Sequence, residues 1–182
     1  MNQIPIFHTD RLLITVLSPD QYKLMVRYQD LNREHLSPWE PLRDAGYFDD
    51  VTTQARLHAN LESFYAGASI PLVGLDKITN EIVCSANFTN IVHGAFQACH
   101  LGYSVSCKYE GKGLMFEMLE ASIKYVFTEL RLHRIMANYI PRNTRSGKLL
   151  KQLGFEKEGL AKSYLNIAGK WEDHILMSKL AE

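Results

Sequence analysis

The sequence lacks the features that mark several classes of protein. It has no run of roughly 18 apolar residues, so no transmembrane helix and no membrane partner are expected. The segment from Met1 to Asp10 has no apolar core, so no signal peptide is expected either. Its 20 basic and 20 acidic residues cancel to a formal net charge of zero. Proteins dedicated to nucleic acids are usually basic, so we expect no DNA partner.

Metal-binding and disulfide patterns are also missing. The three cysteines, Cys84, Cys99 and Cys107, form no CxxC pair, and the seven histidines include no HExxH. We therefore predict no metal site. An odd number of cysteines without a signal peptide indicates reduced thiols and a cytoplasmic protein.

The order of predicted elements defines the fold class. The 182 residues contain no repeat and no Pro/Gly/Ser-rich linker, so we expect a single domain over residues 1–182. Strand patterns occupy residues 11–17, 70–75, 81–91, 96–105, 133–140, 155–165 and 171–180. Helical patterns follow Ser18, Asp49 or Asp50, Gly113 and Asn143, and residues 34–47 are loop-like. This order predicts an α/β protein of the α+β type, with a mixed, mostly antiparallel central sheet flanked by helices.

One loop between a predicted strand and a predicted helix has the composition of an anion site. Two glycines in Lys108-Tyr109-Glu110-Gly111-Lys112-Gly113-Leu114 allow successive backbone N–H groups to point inward at the start of the helix. Lys108 and Lys112 add positive charge. The loop is neither a Walker motif nor a dinucleotide fingerprint, and a Gly-x-Gly alone is equally compatible with a purely structural turn.

The segments downstream of this loop resemble the GCN5-related N-acetyltransferase (GNAT) superfamily. Its Q/R-x-x-G-x-G/A motif is matched by Lys108-x-x-Gly111-x-Gly113, with Lys in place of Gln or Arg, and Asn143 is followed eleven residues later by Gly154-Phe155. The sequences LSPWEP (36–41), YEGKGLM (109–115) and HRIMAN (133–138) further resemble the RimJ branch, which acetylates the N-terminal alanine of a small-subunit ribosomal protein.

The resemblance implies acetyl-CoA as the acetyl donor. By position, the cofactor-binding residues would be Tyr103, Ser104, Val105, Lys108, Glu110, Gly111, Lys112, Gly113, Leu114 and Asn143. The strand at 103–105 would bind the pantetheine arm through its main chain, and Gly102 is expected to form a bulge that opens this edge. A simple N-cap is the alternative role for Asn143.

The resemblance leaves the catalytic residues less defined. Many GNAT members place a Tyr acid seven residues after the Asn, but here that residue is Leu150. We nominate Ser146 as the acid or as a hydrogen-bond donor to the thiolate. Glu40, Glu158 and Asp173 are candidate bases. For each of these three, the alternative is a solvated surface charge. For Ser146, the alternative is an ordinary polar residue in the first turn of a helix.

The acceptor is expected between the N-terminal helical segment and the last hairpin. Trp39, Glu40, Tyr47 and Tyr164 are the candidate wall residues, although Trp39 would equally suit a core position. The expected partner is the N-terminus of a small-subunit ribosomal protein, with the assembling small subunit as a further partner. A small amine such as a polyamine or aminoglycoside as acceptor, and a non-catalytic role in ribosome assembly, are the alternatives.

Overall fold

The structure is a computed structural model that describes residues 3–182. Eight strands and four helices occur within this range. In chain order they are β1 (Ile6–His8), β2 (Leu12–Val16), α1 (Tyr22–Leu36), α2 (Asp50–Tyr65), β3 (Ile70–Asp76), β4 (Ile82–Val92), β5 (Ala98–Val105), α3 (Leu114–Thr128), β6 (Arg134–Tyr139), α4 (Thr144–Gln152), β7 (Glu156–Ile167) and β8 (Lys170–Leu180).

All eight strands belong to one sheet, in the order β1-β2-β3-β4-β5-β6-β8-β7. Every neighbouring pair is antiparallel except β5 and β6, which are parallel. The prediction of a mixed, mostly antiparallel sheet with flanking helices is therefore confirmed. Within residues 3–182, no helix is long and apolar enough to cross a membrane.

The helices cover opposite faces of the sheet. Val73 of β3 packs in a cluster with Tyr28 of α1 and Leu57 of α2. Its neighbour Gly74 faces α3, because a Cβ at Gly74 would lie 3.2 Å from the Met118 sulfur. Successive strand residues point to opposite faces, so α1 and α2 cover one face, and α3 covers the other. The apolar side of α3, which includes Met115, Met118 and Leu119, is buried there.

The sheet splits where β5 and β6 separate. The parallel pairing of β5 with β6 covers only Ala98, Cys99 and His100, and it ends at the pair His100 and Met136. Residues 101–105 continue β5, and β4 is their only strand partner among residues 3–182. One backbone edge of β5 is therefore free of strand pairing in the centre of the sheet. The pairing of β4 with β5 runs without a shift through Gly102, so the predicted bulge was wrong; the edge opens because β6 diverges.

Two local features differ from the sequence prediction. β1 was missed, since it is a three-residue edge strand that depends on pairing with β2 and on stacking of Phe7 against Tyr125, 5.5 Å between ring centroids. The segment 34–47 is only partly irregular, because α1 runs to Leu36 and two short 3₁₀ helices follow at Ser37–Trp39 and Ala45–Phe48. Pro38 is tolerated at the start of such a helix.

Candidate active site

The loop before α3 has the backbone of an anion cradle. Gly111 and Gly113 have backbone φ angles of +71° and +77°, values that residues other than glycine rarely adopt. The space around a Cβ at Gly111 is empty to 4 Å, so conformation rather than crowding requires the glycine. In the described chain, no protein acceptor pairs with the backbone N–H groups of residues 111–116. These groups lie at the positive end of the α3 dipole, where an anion is stabilised.

Two residues that the sequence analysis did not identify hold this loop in place. Arg11 donates to the Lys112 carbonyl at 2.8 Å and to the Glu117 carboxylate at 2.7 Å. Burial opposes ionisation of Glu117, but hydrogen bonds from Thr9 and Arg11 outweigh it and lower the pKa of this carboxyl. The buried Asn32 of α1 accepts from the Cys107 N–H at 2.8 Å. An Asn in the middle of an amphipathic helix was the one available sequence signal.

The charged side chains of the loop have different surroundings. The ammonium groups of Lys108 and Lys112 lie 5.4 and 5.2 Å from the centroid of the Tyr109 ring. The Glu110 carboxylate instead pairs with Arg145 at the start of α4 and lies 3.5 Å from His35. Its side chain therefore ties the loop to α4 and α1, which leaves the two lysines as the free charges beside the cradle.

The start of α4 brings two hydroxyl groups together beside the free edge of β5. The Asn143 side chain accepts from the Ser146 N–H at 3.2 Å, so the predicted N-cap is present. The Ser146 and Tyr103 hydroxyl oxygens lie 2.7 Å apart and share a hydrogen bond. Burial raises the pKa of Tyr103 to about 12, although the bond to Ser146 opposes that shift. Both hydroxyls therefore carry their protons at neutral pH.

Packing fixes the position of this pair. A Cβ on Gly147 would lie 2.6 to 2.8 Å from the Tyr139 ring, so only glycine allows α4 to approach β6 this closely. Leu150 is fully buried in the core and carries no hydroxyl, whereas Tyr103 and Ser146 are hydrogen-bonded to each other and the Tyr139 hydroxyl lies beside Gly147. From its position in the sequence, Tyr103 was expected to act through its main chain only, and no sequence pattern indicates that its side chain reaches Ser146.

A cavity of about 730 Å³ lies on the other face of the sheet, under α1 and α2. Its sheet side includes Ser85, Asn87 and Ser104. Ser104 shares hydrogen bonds of 2.9 Å with both the Tyr28 hydroxyl and the Ser85 hydroxyl. Ser104 follows Tyr103 in β5, so the two side chains point to opposite faces and the free edge of β5 lies between them.

Glu40 is the candidate base that lines this cavity. It follows the 3₁₀ helix at Ser37–Trp39, and its carbonyl accepts from Ala168 N–H at the tip of the last hairpin, 2.9 Å away. Burial raises the pKa of the Glu40 carboxyl, and the nearby guanidinium groups of Arg43 and Arg56 only partly offset this. Tyr47, a predicted wall residue, also lines the cavity.

The remaining predicted acceptor-side residues lie outside the cavity lining. Trp39 stacks against Arg142, with the guanidinium 4.9 Å from its ring, and Tyr164 packs against His174. Glu158 is paired with Arg134 near the end of the sheet. The Asp173 carboxylate accepts from the Ser163 N–H at 2.8 Å within the last hairpin. The structure thus brings together Glu40 and Tyr47, and it does not place the other four with them.

The cofactor-side predictions lie along one continuous path. Tyr103, Ser104 and Val105 form the end of β5, the loop follows from Lys108 to Gly113, and Leu114 begins α3 as a buried residue. Asn143 lies across the split at the start of α4. Among residues 3–182, no group of three or more His, Cys, Asp or Glu side chains is arranged to hold a metal ion.

Comparison with known proteins places this geometry among acyl-transfer enzymes. The pattern of the GNAT acetyltransferase domain matches residues 11–156. The [ribosomal protein uS5]-alanine N-acetyltransferase of Escherichia coli is 48% identical over 169 residues, which is 92% of this chain and 87% of the relative. The ribosomal-protein-S5-alanine acetyltransferase of Vibrio fischeri superimposes with a TM-score of 0.93 at 39% identity and covers 97% of this chain and 96% of its own. RimJ of Mycobacterium smegmatis, solved with CoA-disulfide, gives a TM-score of 0.88 at 27% identity and covers 98% and 87%.

Proposed function

This chain belongs to the GNAT family of acetyltransferases, and we propose that it transfers the acetyl group of acetyl-CoA to the N-terminal α-amine of a ribosomal protein, at an alanine. The observation that carries the proposal is the free edge of β5 between two different sites. An anion cradle and a hydroxyl pair lie towards α3 and α4, and a cavity with a partly buried carboxylate lies under α1 and α2. The named activity of the E. coli relative supplies the acceptor class.

The donor side fits the charges and the shape of acetyl-CoA. The N–H groups of residues 111–116 and the ammonium groups of Lys108 and Lys112 would hold the pyrophosphate. The unpaired edge of residues 101–105 would hold the amide-containing arm by strand-like hydrogen bonds. Acetyl-CoA supplies a thioester, whose acyl carbon an amine can attack directly.

Glu40 is the group we assign to receive the proton of the amine. A free α-amine has a pKa of about 7.7–8.0, so roughly one in ten is neutral at pH 7 and only modest help is needed. Because burial raises its pKa, Glu40 binds a proton more readily than an exposed carboxylate does. Its carboxylate also offers a negative charge to the cationic N-terminus.

Tyr103 and Ser146 are the groups we assign to the leaving sulfur. Each hydroxyl can donate a hydrogen bond. The hydrogen bond between them fixes the orientation of whichever hydroxyl faces the open edge of β5. Donation to the developing thiolate would lower the barrier at that step, as preorganised donors do elsewhere. Tyr103 therefore joins Ser146 as a candidate residue.

The cavity also bears on the alternative acceptors. Its charged lining residues are Arg33, Glu40, Arg43, Asp44 and Arg56, so it is not the strongly acidic cleft that a polyamine needs. A protein N-terminus carries a single positive charge and suits this lining better. We accordingly propose a cytoplasmic site of action and the small ribosomal subunit, during its assembly, as the setting of the reaction.

The test compares three acceptors with acetyl-CoA by mass spectrometry. One peptide begins with a free Ala, a second has the same sequence with a blocked N-terminus and an internal Lys, and spermidine is the third. We expect one acetyl group on the free-Ala peptide alone. Transfer to spermidine alone would contradict the proposal, and transfer to the internal Lys would show a side-chain acetyltransferase instead.

A further inference from the structure

We propose that Arg43 and Arg56 bind an acidic side chain of the acceptor, within the first few residues after its free amine. This inference rests on the proposed function and narrows its substrate class from any Ala-starting N-terminus to one followed by Asp or Glu. Most arginines of this protein pair with a carboxylate, but among residues 3–182 Arg43 and Arg56 do not.

Most arginines of the chain have a carboxylate partner. Six of the nine make ion pairs within the described residues: Arg11, Arg27, Arg33, Arg134, Arg142 and Arg145. Arg43, Arg56 and Arg131 have no carboxylate within 4.0 Å in that range. Arg131 lies in an exposed turn, whereas Arg43 and Arg56 both line the cavity. Two of the three unpaired arginines thus lie where the acceptor is expected.

Arg56 is held in position by neutral groups. Its guanidinium donates to the Tyr47 carbonyl at 3.0 Å and to the Thr53 hydroxyl at 3.3 Å, and it stacks 3.9 Å from the centroid of the Tyr47 ring. The side chain is half-buried, and that burial lowers its pKa. Glu40 is near enough to act on its charge but forms no ion pair with it. A fixed guanidinium that is partly removed from water and makes no direct ion pair is prepared to bind an anion.

Arg43 brings a second positive charge to the same place. Its guanidinium lies 4.4 Å from the centroid of the same Tyr47 ring. Two like charges around one aromatic ring repel each other, and the Arg43 charge adds to the effect of burial in lowering the pKa of Arg56. An arriving carboxylate would relieve this repulsion and accept hydrogen bonds from both guanidinium groups, which is the strong form of such a contact.

The other charges of the cavity favour a peptide over a polyanion. Glu40 and Asp44 also line it and would repel a chain of phosphates such as RNA. An acceptor N-terminus with an ammonium group and one nearby carboxylate offers both signs of charge. The ammonium suits Glu40, and the carboxylate suits Arg43 and Arg56.

The experiment measures kcat/KM on matched peptides that begin with Ala. A single Glu is placed in turn at positions two to six of an otherwise neutral peptide, and each is compared with its Gln and Lys counterparts. We expect one or two adjacent positions at which Glu exceeds Gln by about tenfold or more, the range of a hydrogen-bonded charge pair, and at which Lys is the poorest.

Variants assign that preference to the two arginines. In the double variant Arg43→Gln/Arg56→Gln, the Glu and Gln peptides should become equal, while acetyl-CoA affinity and the melting temperature stay near those of the wild type. Arg27 is an arginine of α1 that is paired with Glu81 and lies outside the cavity lining, so Arg27→Gln should keep the full preference. A single Arg56→Glu variant should reverse the order of the Glu and Lys peptides, which a loss of folding cannot do.

The outcomes separate this inference from the proposed function. Equal acetylation of all the Ala peptides by the wild type would overturn the acidic preference and leave the N-terminal acetyltransferase intact. A preference that persists in the double variant would assign it to other residues and also overturn the inference. Inhibition by a short RNA oligonucleotide that the double variant abolishes, without discrimination among peptides, would identify the arginines as a nucleic-acid contact instead.

Discussion

The two sides of β5 are built in different ways. On the donor side, the loop of residues 107–113 owes its shape to backbone conformation, with two glycines at positive φ and a run of free N–H groups. On the acceptor side, the cavity is formed by side chains drawn from residues 16–104, which reach it from α1, α2, the segment between them and four strands. One side is contiguous in sequence, and the other is assembled only by folding.

This difference predicts that the donor site and the acceptor site respond differently to substitutions. A cradle of main-chain N–H groups tolerates most changes of side chain but not a Cβ that disturbs a positive φ. A cavity of side chains changes its charge with a single substitution and leaves the backbone intact. We therefore expect donor binding to be sensitive at a few glycines, and acceptor choice to be sensitive at many polar residues.

The largest effect is expected from Gly111→Asp, which tests the donor side. It places a carboxylate in the cradle, and a like-charge contact of several kcal/mol corresponds to a loss of acetyl-CoA affinity of about a hundredfold or more. Calorimetric titration with CoA measures this. Gly94→Asp is the matched control, because Gly94 also has a positive φ (+74°) and empty space around its Cβ, but lies in the turn between β4 and β5. Equal affinities in the two variants would remove the loop from the donor site.

The next effect is expected from Glu40→Gln on the acceptor side. Loss of a general base lowers kcat by about a hundredfold, while acetyl-CoA affinity should be unchanged. In the wild type, kcat should rise as pH increases through the raised pKa of Glu40, and the variant should lack this rise. Steady-state rates between about pH 5 and about pH 9 provide the measurement, with the exposed Glu34→Gln of α1 as control.

Glu40→Gln also allows a test of stability, in which the variant is expected to be no less stable than the wild type. The folded state holds the Glu40 proton more tightly than the unfolded state, so this group costs stability as the pH rises from its unfolded pKa through its raised folded pKa, and the full cost is present above that. Replacing it with Gln removes that cost, and the melting temperature at neutral pH should not fall. A clear decrease would mean that Glu40 is a structural residue, and the lower rate would then lose its catalytic meaning.

The sequence predicted the contiguous side of the molecule much better than the assembled side. The Gly111-x-Gly113 loop, the Asn143 cap and the strand at 103–105 were located because each depends on neighbouring residues. Arg56 was not identified, because its role depends on Tyr47 and Thr53 placing it in a cavity. Trp39 and Tyr164 were chosen as plausible wall aromatics, but packing against Arg142 and His174 places them outside the lining. The divergence of β6 from β5 depends on pairings distant in sequence, which explains the incorrect bulge at Gly102.

The smallest expected effect concerns the hydroxyls of Tyr103 and Ser146, and it shows which of the two donates to the leaving sulfur. Ser146→Ala should lower kcat at least about tenfold if Ser146 donates to the leaving sulfur. Tyr103→Phe keeps the ring that packs beside α4 and removes only the hydroxyl, so a smaller decrease is expected if Tyr103 acts by orienting Ser146. An acceptor-independent measurement separates the cases: hydrolysis of acetyl-CoA without peptide should fall in both variants in the same ratio as kcat. If Tyr103→Phe has the larger effect, the tyrosine is the donor and Ser146 is its positioning residue; if both variants turn over at the wild-type rate, the pair only joins α4 to the sheet.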